Sequence, residues 1–250
     1  MNLDQIEKVR RYELDLAVSE FTKGAVVLEI GAGAGFQARW LSEMGFSVYA
    51  IDIPQSNYRN NRIWPVQDYN GQDIPFPDNH FDIVFSSNVL EHIEQIKSFQ
   101  YEIQRVLKPH GLAIHVVPTS SWRIWTSVAH YPYLFKIAVQ FIINRFRQQT
   151  HELALISDQV TSQHKIVILR AVLFPHRHGE NGNFMSEIYY FSQCYWTGLF
   201  KNHGWKIRKI YPSHLCYTGY SVLGDRLSFR VRHLLSKVCG SACRIFVLST

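Results

Sequence analysis

Three glycines alternate in "VLEIGAGAGFQARWL" (27–41), at Gly31, Gly33 and Gly35, with Glu29 two residues before the first. Lacking a Cβ, glycine lets backbone turn sharply and lie close to a ligand. Asp52 follows the loop at about the twenty-residue separation where a carboxylate takes a ribose diol. Such a pairing holds a nucleoside, either within a dinucleotide or without a pyrophosphate. A dinucleotide fingerprint needs G-x-G-x-x-G, and counted from Gly31 its last place is Phe36. Histidine supplies the second chemistry, since a neutral imidazole can take a proton from a reacting hydroxyl. His92 in "NVLEHI" is one candidate base, and it could equally be a pocket-floor residue. His178 in "FPHRHGENGN" (174–183) is the other, crowded by His176, Arg177 and Glu180. That stretch could also hold an anion or be a plain surface loop. Its spacing matches no strong metal pattern, so no metal is expected.

The elements that must position these residues alternate through the first half. Strands are expected over 25–30, 46–53, 61–66, 80–87 and 112–118, with helices over 36–45 and 94–111, the second stopped by Pro109. The pattern breaks after Pro118 and returns as a helix (192–204), a strand (205–212), a basic amphipathic helix (224–240) and a last strand (243–249). Alternation of this kind gives an α/β fold, a doubly wound and mainly parallel sheet. The whole chain reads as one domain, with residues 119–190 inserted between the fifth and sixth strands. At roughly 70 residues, that insertion is far longer than an ordinary connection. It opens with an aromatic and apolar helix ending in Arg145 and Arg147, suited to a lid or to a membrane interface.

Composition narrows the classes. Hydrophobic residues at 46% and charged residues at 18% describe a globular chain rather than a disordered one. No signal-peptide pattern opens it, and no run of 18 apolar residues appears. Cys194, Cys216, Cys239 and Cys243 read as buried free thiols of a reducing cytosol. Charge divides unevenly: residues 1–118 carry 10 Lys/Arg against 15 Asp/Glu, whereas 197–250 carry 9 against one. The basic segment, 213–240 above all, favours an anionic partner, and a solvated basic face is the simpler account. Nucleic acid is disfavoured, because no recognition-helix, RNA-binding or zinc-finger signature accompanies the charge. The expected location is the cytoplasm, with peripheral contact to an anionic membrane as a secondary reading.

Two further stretches, "DIPFPDNHFDIVFSSNVLEHI" (73–93) and "EIQRVLKPHG" (102–111), follow the glycine loop in order. Over about residues 25–118 the chain resembles the Rossmann-like, class I S-adenosylmethionine-dependent methyltransferases. The resemblance implies a seven-stranded sheet and S-adenosylmethionine as cofactor. It places Gly31, Ala32, Gly33 and Gly35 beneath the methionyl and ribose parts, with Glu29 orienting the loop or reaching the ammonium through water. Asp52 would accept both ribose hydroxyls, and Ile53 would cover one adenine face. Asp68, with Tyr69 adjacent, would meet the adenine amino group. Ser86, Ser87 and Asn88 would serve the methionyl ammonium. The usual paired glycine after "RVLKP" is here His110-Gly111, leaving Gly111 to take the tight angle. The implied activity is methyl transfer to a small-molecule or lipid-linked, saccharide-type acceptor, at oxygen. The rival reading is a non-catalytic cofactor-binding or membrane-surface protein on the same fold.

Overall fold

A computed structural model describes residues 3–148, 174–220 and 227–250. The helix α1 (Leu3–Val18) leads into β1 (Val26–Ile30), α2 (Phe36–Glu43), β2 (Ser47–Asp52) and the two-residue β3 (Gln67–Asp68). Then follow β4 (Phe81–Ser87), α3 (Ile96–Val106), β5 (Leu107–Pro118) and the 29-residue α4 (Ser120–Gln148). Past residue 173 come α5 (Glu187–Tyr190), α6 (Gln193–Asn202), β6 (Lys206–Pro212), α7 (Phe229–Cys239) and β7 (Cys243–Ser249).

The strands form one seven-stranded sheet in the order β3-β2-β1-β4-β5-β7-β6. β1 to β5 run parallel, and β7 inserts antiparallel between β5 and β6. Strands covered on both faces read as continuous apolar runs, because alternate side chains feed opposite cores. Leu28, Val84, Ala113 and Phe246 pack on one face with Phe99 and Ile103 of α3. Val27, Ile83, Ile114 and Ile245 pack on the other with Val9 and Leu14 of α1. The chain builds outward from β1 to β3 and then crosses back to β4. Strand order therefore reverses between β1 and β4, and their carboxyl ends open the crevice where such a sheet binds ligands.

Several boundaries differ from the sequence reading. The third strand is Gln67–Asp68 rather than 61–66. Ile63 donates its N–H to the Ala34 carbonyl at 2.9 Å, which draws 61–66 across the glycine loop instead of along the sheet edge. The second helix ends at Val106, not at Pro109, and Leu107 already pairs with Phe81. Lys108 to Gly111 then bulge out before Leu112 pairs with Ile83. The left-handed angle in this bulge falls on His110, at φ +69°, and not on Gly111. Gly111 is there for space: an added Cβ would lie 3.0 Å from the Lys108 carbonyl oxygen and 3.1 Å from that of Asp82.

The basic carboxyl-terminal helix is shorter than 224–240, running from the Ser228 cap to Cys239. Residues 213–220 are not helical, and 221–226 lie outside the described residues. The cysteines are free, yet only Cys243 is buried, and Cys194 is exposed. The apolar helix proposed at the start of the insertion is α4, while 149–173 lie outside the described residues. Among the described residues no helix is long and apolar enough to cross a membrane.

Candidate functional site

The glycine loop joins β1 to α2 at the point where strand order reverses. Gly31, Gly33 and Gly35 adopt φ of +70°, +57° and +83°, angles that L side chains rarely take. Space is closed as well as angle: a Cβ on Gly35 would meet that of Trp64 at 2.5 Å, and one on Gly31 would overlap Val89. The loop's N–H groups point inward. Those of Gly31 and Ala32 donate to the Ile51 carbonyl at 2.8 and 3.1 Å, and that of Gly35 to Ala32. Gly33 donates to Asp52 Oδ2 at 3.0 Å. Phosphate cradles work by turning backbone N–H groups toward the anion. Four of these donors are spent inside the protein, so the geometry agrees with the glycine count against a pyrophosphate.

Around the loop stand the other expected cofactor residues. Asp52 is almost fully buried and also accepts the Ile53 N–H at 2.8 Å, so both its oxygens are fixed. Ile53 is 39% exposed, with Gly71 packed beside it, which leaves an apolar face open next to the ribose carboxylate. Glu29 is buried and accepts the Ala38 N–H, while its Oε2 has no partner. Burial pushes this carboxyl up to about 8, with the nearby Asp52 charge adding to the rise. A buried carboxylate oxygen lacking a donor is what a cationic ammonium would satisfy. Sulfonium nucleosides carry one beside the ribose, so the residues fit S-adenosylmethionine.

The remaining assignments divide. Asp68 lies beside Asp52 across the β2–β3 pairing, but its carboxylate is held by Arg59 at 2.8 Å and Arg62 at 2.7 Å. Tyr69 is buried in the core. At the end of β4, the Ser86 hydroxyl turns into the core and bonds His115 Nδ1 at 2.8 Å, so only its backbone is left for a ligand. Ser87 is half-buried, and Asn88 turns the chain at φ +55° with its amide oxygen accepting from Cys243 Sγ at 3.4 Å.

The two candidate bases, 86 residues apart in sequence, come together. The rings of His92 and His178 meet edge to face with centroids 4.8 Å apart. The Trp122 indole of α4 lies 4.6 Å from His178. Burial lowers the His92 imidazole below its ordinary value and takes His178 down to about 3, so both rings are neutral near pH 7. Beneath them lies Glu91, a residue the sequence reading passed over. Its side chain is fully buried, both oxygens lack hydrogen-bond partners, and burial raises it to about 8. Glu91 Oε1 sits 3.9 Å from His92 Nε2 and 4.0 Å from His178 Nε2. The three donor atoms lie within 4.8 Å, a set that could accept a divalent cation. The sequence grouping is not the one assembled: His176 gives only its carbonyl, to Arg123, and Glu180 pairs with Arg177.

A buried ion pair holds His178 in place. Arg123 of α4 meets Glu187 of α5 at 3.0 Å, both side chains almost wholly buried. The second oxygen of Glu187 accepts the N–H groups of His178 and Gly179 at 2.6 and 2.7 Å. Glu180 then donates its N–H to the Glu91 carbonyl at 2.9 Å, tying this loop to the turn after β4. Gly179, Tyr190, Phe191 and Trp196 line the cleft beside Glu91. No local pattern marks Arg123 and Glu187, because their pairing spans 64 residues.

The strand order is the one expected of the class I S-adenosylmethionine-dependent methyltransferase fold, and the residues at its crevice fit S-adenosylmethionine. Residues 28–115 match the family model described as Methyltransferase domain. A ubiquinone biosynthesis O-methyltransferase of Bradyrhizobium diazoefficiens is 29% identical over 150 residues, 57% of this chain and 56% of that protein. A demethylmenaquinone methyltransferase of Tropheryma whipplei is 36% identical over 97 residues, 36% of this chain and 40% of that one. The chain thus matches about half the length of these curated relatives. A SAM-dependent methyltransferase structure from Aquifex aeolicus superposes over 99% of this chain and 98% of its own, with TM-score 0.51 and 15% identity. One from Mesorhizobium loti covers 95% and 97% with TM-score 0.55 and 12% identity, which shows a shared fold.

Proposed function

We propose that this protein transfers the methyl group of S-adenosylmethionine to a hydroxyl oxygen of a small-molecule or lipid-linked acceptor. The observation that carries the reading is the meeting of His92 and His178, two neutral imidazoles from distant segments, beside an aromatic-lined cleft. When bound, the cofactor supplies a methyl already activated by a positive sulfur. The protein is then left to align the acceptor, exclude water and receive a proton. With the cofactor held by Glu29, Asp52 and the glycine loop, an acceptor hydroxyl would take the methyl as the carbon–sulfur bond gives way to a neutral thioether, and His92 or His178 would receive the hydroxyl proton. Tyr190 and Tyr195 at the cleft are suited to stacking on an aromatic ring or on the apolar face of a sugar. The similarity to ubiquinone biosynthesis O-methyltransferases and a demethylmenaquinone methyltransferase favours the ring, and the sugar hydroxyl is the second acceptor to test.

The test is methyl transfer from labelled S-adenosylmethionine to two panels, prenylated hydroxybenzoate and quinol compounds on one side and polyprenyl-linked sugars on the other. The expected product carries the label on oxygen, and His92→Ala with His178→Ala lowers the rate at least tenfold while cofactor affinity holds. Label on carbon or nitrogen overturns the oxygen reading. Cofactor binding with no transfer to either panel would favour the non-catalytic reading instead.

A further inference from the structure

The helix α7 is mounted with its polar side inward. Its buried residues are Arg232 and Ser236, and Arg232 donates to the carbonyls of Leu227 at 3.2 Å and Cys216 at 3.3 Å. Val231, Leu234, Leu235 and Val238 recur at the spacing of one helical face and turn outward, with Leu234 at 61% and Val238 at 88% exposure. A helix packed on a globular body normally does the reverse. The same inversion recurs next to it on α4. Trp122, Arg123, Thr126 and His130 face the protein, while Ile124, Val128, Tyr131 and Phe135 face out, Phe135 at 72% exposure. The two helices touch: the Trp125 indole N–H donates to the Cys239 carbonyl at 2.9 Å, and Ser121 packs against Gly240. Two outward apolar stripes on touching helices are more than the scattered apolar residues an ordinary surface carries.

The charge around the stripes indicates what covers them. Arg230 and Lys237 lie exposed at either end of the α7 stripe, and Lys136 is exposed on α4. Residues 229–239 hold three Lys/Arg side chains and no acid, and of the three only Arg232 is turned inward. In a two-fold contact between copies of this chain, Arg230 and Lys237 would face their own kind. An anionic lipid surface complements both the apolar stripes and the flanking cations, and Trp125 and Tyr131 are residue types favoured at such interfaces. We propose that the outward faces of α7 and the first half of α4 dock on an anionic membrane. The opposite face of α4 carries Trp122 against His178, so one helix would connect the lipid surface to the acceptor side of the site. The docking stands on its own observations and does not require methyl transfer.

The test is sedimentation of the full chain with phosphatidylcholine vesicles, with and without about one third phosphatidylglycerol. Binding at least tenfold tighter to the anionic vesicles, weakening with salt, is expected. L234E combined with V238E should lose that binding while melting temperature and cofactor affinity hold, since both side chains are exposed. R230Q and K237Q should each weaken it by about fivefold. No binding to anionic vesicles, or binding that L234E with V238E leaves unchanged, overturns the proposal. A dimer that this double variant converts to monomer, without vesicle binding by the parent, overturns it in favour of a contact between copies.

Discussion

The crevice has two sides built by different means. On the cofactor side, Glu29, Gly31, Gly33 and Asp52 fall within 24 residues, on two adjacent strands and the loop that leaves the first, and their contacts are largely backbone. On the proposed acceptor side, Glu91, Trp122, His178 and Glu187 come from four separate segments, joined by a buried ion pair, by the hydrogen bonds of Arg123 and Glu187 to residues 176–179, and by one from Glu180 to the Glu91 carbonyl. A cofactor with constant chemistry can be held by a compact local pattern. The proposed acceptor site is assembled instead by tertiary contacts over the sheet. The cofactor side should therefore survive damage to the acceptor side, and the reverse should hold for stability.

The largest effect expected is from Arg123→Met, which leaves Glu187 buried without its cation. Breaking one member of such a pair costs about 3–5 kcal/mol, equivalent to a fall of roughly 10 °C in melting temperature for a chain of this size. Residual cofactor affinity at low temperature should change less than about twofold, because no contact joins Arg123 to the glycine loop. Arg123→Met with Glu187→Gln should recover part of the loss, since the amide carries no unpaired charge while its oxygen still accepts the N–H groups of His178 and Gly179. Differential scanning calorimetry with cofactor titration checks both halves. Cofactor affinity falling together with stability would break the division into two sides.

Next is Asp52→Ala, which removes the acceptor for a ribose diol along with the caps of Gly33 and Ile53. Charge-assisted hydrogen bonds contribute about 1.5–3 kcal/mol each, so affinity should fall at least 100-fold, at about 1.4 kcal/mol per tenfold. Isothermal titration measures it directly, with NAD as the negative control. Retained affinity would move the nucleoside away from β2.

These two variants also mark what the sequence discloses. The glycine loop, Asp52 and the strand pattern were readable because each depends on neighbours within a few residues: a positive φ, a strand end, a buried apolar run. The edge strand was misplaced because the Ile63 N–H is taken by the distant loop carbonyl of Ala34. His110 at φ +69° shows the same limit, since the bulge that needs the angle is set by pairing with β4. His92 and His178 were singled out separately, yet nothing in their spacing announces that they touch. Glu91 and the Arg123–Glu187 pair carry no local signature, because an ionisable residue in an amphipathic stretch usually faces solvent.

A smaller effect sharpens the cofactor side from within. Gly31→Ala adds a Cβ into Val89 at φ +70°. Val89→Ala in the same chain should relieve the overlap while leaving the backbone strain of about 1–2 kcal/mol. The double variant should therefore bind the cofactor better than Gly31→Ala alone and less well than the parent. Equal affinity for both variants would mean that the angle alone governs the loop.

The smallest effect is a proton. Glu29 sits at about 8 in the free protein against an ordinary 4.5, pushed up first by burial and then by the charge of Asp52. For an acid raised on folding, the stabilising contribution is complete below about pH 4.5 and is lost as pH rises through about 8. Near pH 6.5 the carboxyl is protonated, while the amino group of the free cofactor is already charged, since α-amino groups titrate at about 7.7–8.0. An ammonium placed at the unpartnered Oε2 favours the carboxylate, so binding should release about one proton and tighten by up to about tenfold between pH 6 and 7. Titration calorimetry in two buffers of different ionisation enthalpy counts that proton, and Glu29→Gln should abolish both the release and the pH dependence. Binding that releases no proton would assign Glu29 to the Ala38 N–H alone. The loop would then be held from below by a residue the ligand never meets, and the cofactor side would owe its charge recognition to Asp52.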